Sequence, residues 1–245
     1  MKIILSPAKT MRENDGIDGG RKPILIEEAK ELLEELKKYS SQDLAILMKC
    51  NSKLANLNYE RFQRMNLDDA IFPALFCFDG LQYKAMAPHV FTSEEYAYVK
   101  EHCIILSGLY GLLRADDLVC LYRLEMQTEL KLKDYKNLYD FWQDKIYKEL
   151  YKENDVVLNL ASKEYSKVVA DHLKENDRMI TCIFGYLEHE KVKVKGTLAK
   201  MARGAMVRWM AENQIEDVEE IKHFKENGYA YSEMHSTKEQ WVFLK

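Results

Sequence analysis

Three short apolar runs, Ile3-Ile4-Leu5, Ile104-Ile105-Leu106 and Val157-Leu158-Asn159-Leu160, each stop at small or polar residues: Ser6-Pro7-Ala8-Lys9, Ser107-Gly108-Leu109-Tyr110-Gly111 and Ala161-Ser162. Runs of this length and character read as strands. Set side by side in an α/β sheet, their carboxyl ends would form the floor of a site, because ligands bind beyond such ends. Ser6, Lys9, Thr10, Ser107, Gly108, Tyr110 and Ser162 are the candidate residues of that strand-end site. Taken singly, each run is equally an ordinary strand ending in a turn.

Further strands are expected at 74–78, 179–184, 192–194, 229–233 and 240–244. Helical periodicity covers 27–38, with Ala29, Leu32, Leu33 and Leu36 on one face, and 137–152, with Leu138, Phe141, Trp142, Ile146 and Leu150. With no repeat, no linker and four prolines, the 245 residues read as one unit. The expected class is α/β in the mixed α+β sense: a single globular unit over 1–245 with a central mixed sheet, surrounding helices and a helix-hairpin-helix-like element at about 41–64.

The net charge is −4, so a polyanionic partner has to be met by a local patch. One segment supplies it. From Lys191 to Arg208 there are six basic residues and no acid. As a helix, 197–210 places Lys200, Arg203, Gly204 and Arg208 on one side and Leu198, Ala202, Ala205, Met206 and Trp209 on the other, with Val207 interrupting the basic face. Gly204 on that side would let a phosphate backbone approach closely. The other reading is a solvated face over a buried stripe.

Between Asp43 and Arg64, two short amphipathic helices joined by a tight connection resemble a helix-hairpin-helix, the motif that grips DNA phosphate with backbone N–H groups at the start of its second helix. Lys49, Asn51, Ser52 and Lys53 are its candidate contacts, Ser52 doubling as a helix cap. Cys50, Asn51 and Ser52 replace the usual glycines, so an ordinary helical hairpin is the alternative. A third signal is the set of charges Asp117, Arg123 and Glu125 among apolar neighbours. If their segment is extended, Arg123 and Glu125 share a face, as either a structural ion pair or a polar catalytic group.

The five cysteines form no C-x-x-C pair and the six histidines no helical ligand pair, so no metal site is expected. No cofactor is expected either. No stretch approaches the ~20 apolar residues of a membrane span, and the N-terminal run is too short for a secretory signal, which predicts a cytoplasmic protein. We expect it to act as a monomer.

The ordered set Leu5-Ser-Pro-Ala-Lys9-Thr10, Leu106-Ser-Gly-Leu-Tyr-Gly111, Tyr122-Arg-Leu-Glu-Met126, Asn159-Leu-Ala-Ser162, Glu164-Tyr165, Ala199-Lys200 and Ala202-Arg203-Gly204 resembles the YaaA family of peroxide-stress proteins along essentially the whole chain. The sequence departs from the family pattern at Phe78-Asp-Gly-Leu-Gln-Tyr83, where F-x-G-D-x-Y is expected. At Leu113-Arg-Ala-Asp-Asp117, where L-R-P-L-D is expected, it keeps Arg114 and Asp117. The resemblance implies protection against hydrogen peroxide, lower unincorporated iron, and DNA binding at a positive cleft that includes a helix-hairpin-helix. The expected function is therefore binding of duplex or branched DNA in the peroxide stress response, with Lys49, Lys53, Lys200, Arg203 and Arg208 on phosphates. The alternative is an enzyme acting on a nucleotide or nucleobase beyond the strand ends. In that case Lys9 and Arg123 hold a phosphate or leaving group, and Glu125 or Asp117 is general acid or base. Either way a nucleotide or anion is a candidate ligand.

Overall fold

The computed structural model describes residues 1–14, 19–132, 134–153 and 156–245. Along the chain, β1 (Lys2–Leu5) and the short β2 (Thr10–Met11) precede helices α1 (Ile26–Leu36), α2 (Ser41–Leu47) and α3 (Ser52–Arg64). Next come β3 (Phe72–Pro73), α4 (Ala74–Cys77), β4 (Phe78–Asp79), α5 (Leu81–Met86) and α6 (Ser93–His102), then β5 (Cys103–Ser107), β6 (Gly111–Arg114) and β7 (Leu118–Val119). Helices α7 (Leu138–Trp142) and α8 (Lys145–Leu150) lead to β8 (Val156–Leu160), α9 (Lys163–Ala170), β9 (Arg178–Glu188), β10 (Lys191–Lys193), α10 (Gly196–Glu212), β11 (Ala230–Tyr231) and β12 (Gln240–Leu244).

Eight strands make the central sheet, in the order β11-β12-β9-β8-β1-β5-β6, with β10 paired to β9. The inner pairings from β12 to β5 are all parallel, and β11, β6 and β10 add antiparallel edges, so the sheet is mixed. Successive strand side chains point to opposite faces, yet Ile3, Ile4 and Leu5 are all fully buried, so both faces of β1 are covered. This is why an unbroken apolar run, and not an alternating one, marks the middle of the sheet. Helix α6 packs on β1, α10 on β9, and α9 beside β5.

Three expectations need correction. The apolar stretch at 74–78 is not a strand: Ala74–Cys77 is a single helical turn between two-residue strands, and a short, wholly buried run has no periodicity to separate the two states. The helix expected over 137–152 is two helices, split where Gln143 takes φ 44° and ψ −129°. Arg123 and Glu125 lie in irregular chain, not in a strand.

Gly204 also has a different role. It is buried in α10, and a β-carbon there would lie 1.9 Å from the carbonyl oxygen of Gln82 in α5. The glycine lets two helices touch backbone to backbone; it is not an opening for a phosphate. Val207, the expected break in a basic face, is likewise buried. In an unconstrained helix, alanine in place of glycine stabilises by about 1 kcal/mol, but here overpacking wins. Gly204→Ala is expected to lose up to about 2 kcal/mol net of that gain, read as a lower urea midpoint.

Candidate functional site

Beyond the carboxyl ends of β1 and β8 lies a cavity of ≈ 330 Å³. The two ends are tied together: Ser6 Oγ accepts from the Ser162 backbone N–H at 2.8 Å and lies 3.2 Å from Ser162 Oγ. Tyr83, from α5, donates its hydroxyl to the Ser6 carbonyl at 2.9 Å. Ser162 occupies the N-cap position of α9 but makes no side-chain cap, so its hydroxyl faces Ser6 instead. At Gly80, just before α5, a β-carbon would come within 2.9 Å of the Ala8 side chain, which explains why the chain can pass so close to the β1–β2 loop.

One wall of the cavity is acidic at heart. Glu125, 7% exposed, takes Lys9 Nζ at 2.8 Å and the Arg123 guanidinium at 2.9 Å. Burial pushes its carboxyl up, but the hydrogen bonds from Arg123 and Lys9 outweigh this and hold it below the usual carboxylate range. Glu164, in the first turn of α9, moves the other way, because burial and the nearby Glu125 charge both favour its protonated form. Asp79 lines the same cavity and is held by Arg12 at 2.6 Å and Lys84 at 3.3 Å. From the opposite side α10 contributes exposed Lys200 and half-buried Arg203, and α5 contributes Gln82.

Of the strand-end candidates, the structure therefore brings Ser6, Lys9, Thr10 and Ser162 to the cavity, with Glu125. It does not bring the end of β5. Ser107, Leu109 and Tyr110 are fully buried: Ser107 Oγ sits 2.5 Å from the Tyr122 hydroxyl, and a β-carbon at Gly108 would meet the Leu124 carbonyl at 2.3 Å. That strand end is sealed by the segment that carries Arg123 and Glu125, so Ser107, Gly108 and Tyr110 support the wall without lining it. Asp117 is also elsewhere. It lies just past β6, whose Arg114 pairs with Ile104 near the amino end of β5, and its carboxylate accepts from the Arg114 N–H at 2.9 Å and Nε at 2.8 Å. It is a buried brace. Gln82, Tyr83 and Asp79 reach the cavity although nothing in their spacing singles them out; a glutamine and a tyrosine between apolar residues look like any helix interior.

Between Asp43 and Arg64, helices α2 and α3 are joined through Met48 to Asn51. Asn51, not Ser52, is the cap: its side chain accepts from the Leu54 N–H at 3.0 Å. Lys49 adopts φ 47°, the left-handed conformation that a glycine would take more cheaply. Of the apolar residues flanking this connection, Ala55 is buried, Leu47 half-buried and Leu54 37% exposed. Lys49 lies 3.7 Å from Glu129, Lys53 is exposed, and Arg208 is held by Glu212 at 2.7 Å.

Burial pushes the thiols of Cys77 and Cys103 up to about 12 and raises those of Cys120 and Cys182. The thiolate is the nucleophile toward peroxide, so these four are poor reactants. Among the described residues, no group of three or more His, Cys, Asp or Glu is placed to hold a metal, and no helix is long and apolar enough to cross a membrane.

Fold and cavity together define a mixed α/β protein with a charged strand-end cavity. Residues 1–235 match the family model described as "Peroxide stress protein YaaA". The chain is 46% identical over 246 residues to a UPF0246 protein of Pediococcus pentosaceus, covering 100% of this chain and 98% of that one, and 46% identical to one of Ligilactobacillus salivarius, covering 100% of both. A UPF0246 protein of Clostridioides difficile is 40% identical, again over 100% of each chain. This chain belongs to the YaaA peroxide stress protein family.

Two titrations check this geometry. Burial, against the bonds from Arg114, raises Asp117 to about 6. A carboxyl with a raised folded value contributes stability that is full below its ordinary value near 4 and lost as pH rises through about 6. A carboxyl titrating near pH 6 by NMR should vanish in Asp117→Asn. For Glu125 the sign reverses: its contribution is present above the ordinary carboxylate value and disappears as pH falls through its lowered folded value. Glu125→Gln should therefore lower the melting temperature at pH 7, with a loss of up to about 3 kcal/mol from the Arg123 pairing, and flatten the acid limb of the stability curve below pH 4.5.

Proposed function

We propose that this protein serves the peroxide stress response by binding duplex or branched DNA through a basic rim beside the cavity, reading shape more than sequence and helping to limit iron-dependent damage. The observation that carries this reading is a run of cations without counter-ions. Among the described residues Lys191, Lys193, Lys195 and Lys200 have no carboxylate partner, whereas Lys22, Lys37, Lys38 and Lys148 each sit on an acid. In a chain of net charge −4, such a stretch is repelled by itself and neutralised by nothing internal. DNA phosphates would supply the missing charge and release their own counterions.

Two details suit the same partner. The β9–β10 arm exposes Tyr186 and Leu187 beside its lysines, with Lys193 in register with Tyr186, a combination that fits sugar and base faces as well as phosphates. The hairpin residues Lys49, Asn51, Ser52 and Lys53 are exposed candidates for further phosphate contacts, with Lys49 3.7 Å from Glu129, four residues after Glu125 in the same loop. With Arg208 already paired to Glu212, it adds little.

The enzyme reading keeps one observation in its favour: Glu125 and Glu164 face one cavity with proton affinities pushed apart, the arrangement by which a site holds both an ionised and a protonated carboxyl.

A labelled duplex followed by fluorescence anisotropy at several salt concentrations tests the leading reading. Each phosphate contact adds about −0.9 to the slope of log affinity against log salt. Replacing Lys191, Lys193, Lys195 and Lys200 by Gln should weaken binding and make the slope shallower by about 3 to 4. A parent protein that does not bind at low salt, or a variant with unchanged affinity and slope, refutes the proposal.

A further inference from the structure

Arg203 is the group in this structure that most lacks an explanation. It projects from α10 into the cavity wall, and among the described residues its buried Nε has no hydrogen-bond partner and its guanidinium no ion pair. Arg114 and Arg123, also largely buried, each hold a carboxylate. A guanidinium with part of its N–H edge taken out of water and no counter-charge among the described residues is a costly arrangement, and proteins seldom keep one without use. Burial depresses its proton affinity accordingly.

A second orphan lines the same cavity. Gln82 is 5% exposed, and its side-chain Nε2 is buried without a partner. Lys200, one turn before Arg203, stands unpaired at the rim. The α5–α10 wall thus carries three donors and two positive charges that nothing internal satisfies. The opposite side is different in kind: Glu125 is saturated by Lys9 and Arg123, while Glu164 accepts from the backbone N–H groups of Gln127, at 3.4 Å, and Met126, and Ser162 has hydroxyl capacity to spare. What completes the site has a doubly negative, multi-oxygen end and a neutral end rich in hydrogen-bonding groups. The cavity, at ≈ 330 Å³, is at the small end of ligand pockets and far too small for a duplex.

We propose that this cavity binds a phosphomonoester of nucleoside monophosphate size, its dianionic phosphate held by Arg203, Gln82 and Lys200 and its polar body facing Ser162 and Glu164. A dianion matches the two unpaired cations, and the planar fork of an arginine suits phosphate oxygens. The same group has two sources, a free mononucleotide or the 5′-phosphate at a DNA end. The proposal does not rest on the duplex reading: it stands on Arg203 and Gln82 at the cavity, whereas that reading stands on the exposed lysines of the β9–β10 arm, and Lys200 alone is common to both.

Calorimetric titration of the full chain separates these. The probes are deoxynucleoside 5′-monophosphates, the matching nucleosides, inorganic phosphate, a single-stranded oligonucleotide with and without a 5′-phosphate, and a blunt unphosphorylated duplex. Monophosphates should bind at least tenfold more tightly than nucleosides and than inorganic phosphate; the phosphorylated oligonucleotide, if it exceeds the free nucleotide, marks the DNA end as the source. Arg203→Met should abolish this binding and raise the melting temperature of the free protein, because it removes an uncompensated buried charge. Gln82→Leu should weaken binding severalfold. Monophosphates that do not bind, nucleosides or inorganic phosphate that bind equally well, or an Arg203→Met protein that keeps full affinity would each overturn the proposal. Duplex binding without monophosphate binding would sink it and leave the DNA reading standing; the converse result would support it and sink that reading.

Discussion

At Gly204 the backbone of α10 comes so near to α5 that a β-carbon would sit 1.9 Å from the carbonyl oxygen of Gln82 and 3.0 Å from the Met86 nitrogen. No other residue permits that approach. It sets Arg203 and Gln82 together on one wall, facing the ends of β1 and β8, and it turns the first turns of α10 toward the cavity while Met206, Val207 and Met210 stay in the core. The charged cavity is thus a consequence of helix packing. The apolar half of α10 fixes where its polar half must point.

The cavity is built with unequal care. Its acidic side is closed electrostatically: Glu125 binds two cations and stays ionised, and the segment bearing it is anchored from beneath by Ser107, Tyr122 and the close packing of Gly108 on Leu124. Its basic side is left open, with buried N–H groups that have no protein acceptor. Buried polar groups are nearly always satisfied in native structures, and two of the four buried side-chain atoms without a partner among the described residues belong to this one wall. The same contrast separates the cavity from the surface. Lysines of the β9–β10 arm are solvated and lose little by being unpaired, whereas the Nε of half-buried Arg203 is shielded from water and has no acceptor among the described residues.

Membership of a peroxide stress family invites a search for redox groups, and the physical chemistry of the thiols argues against four of the five cysteines. Burial in apolar surroundings keeps Cys77, Cys103, Cys120 and Cys182 protonated. A role carried out on a charged partner or ligand fits what the molecule displays better than direct scavenging of peroxide by these groups.

Much of this was legible in the sequence. Unbroken apolar runs announce strands covered on both faces, and β1, β5, β8 and β12 lie where their runs predict; amphipathic spacing places α1 and α10, and the acid-free stretch from Lys191 to Arg208 marks the basic region. Sequence also offered Arg123 and Glu125 as an ion pair, which they form outside any strand. What it left open was every relation between distant segments: that Ser6 would meet Ser162, that the β5 end would be sealed, that Asp117 would brace Arg114 away from the cavity, and that Gly204 would serve a helix contact. Local propensity and periodicity depend on neighbours within a few residues, so the sequence alone determines the elements and their buried faces. Which polar groups become partners, and which are left without one, is decided only when packing brings residues 80 and 200 positions along the chain against those of the first strand.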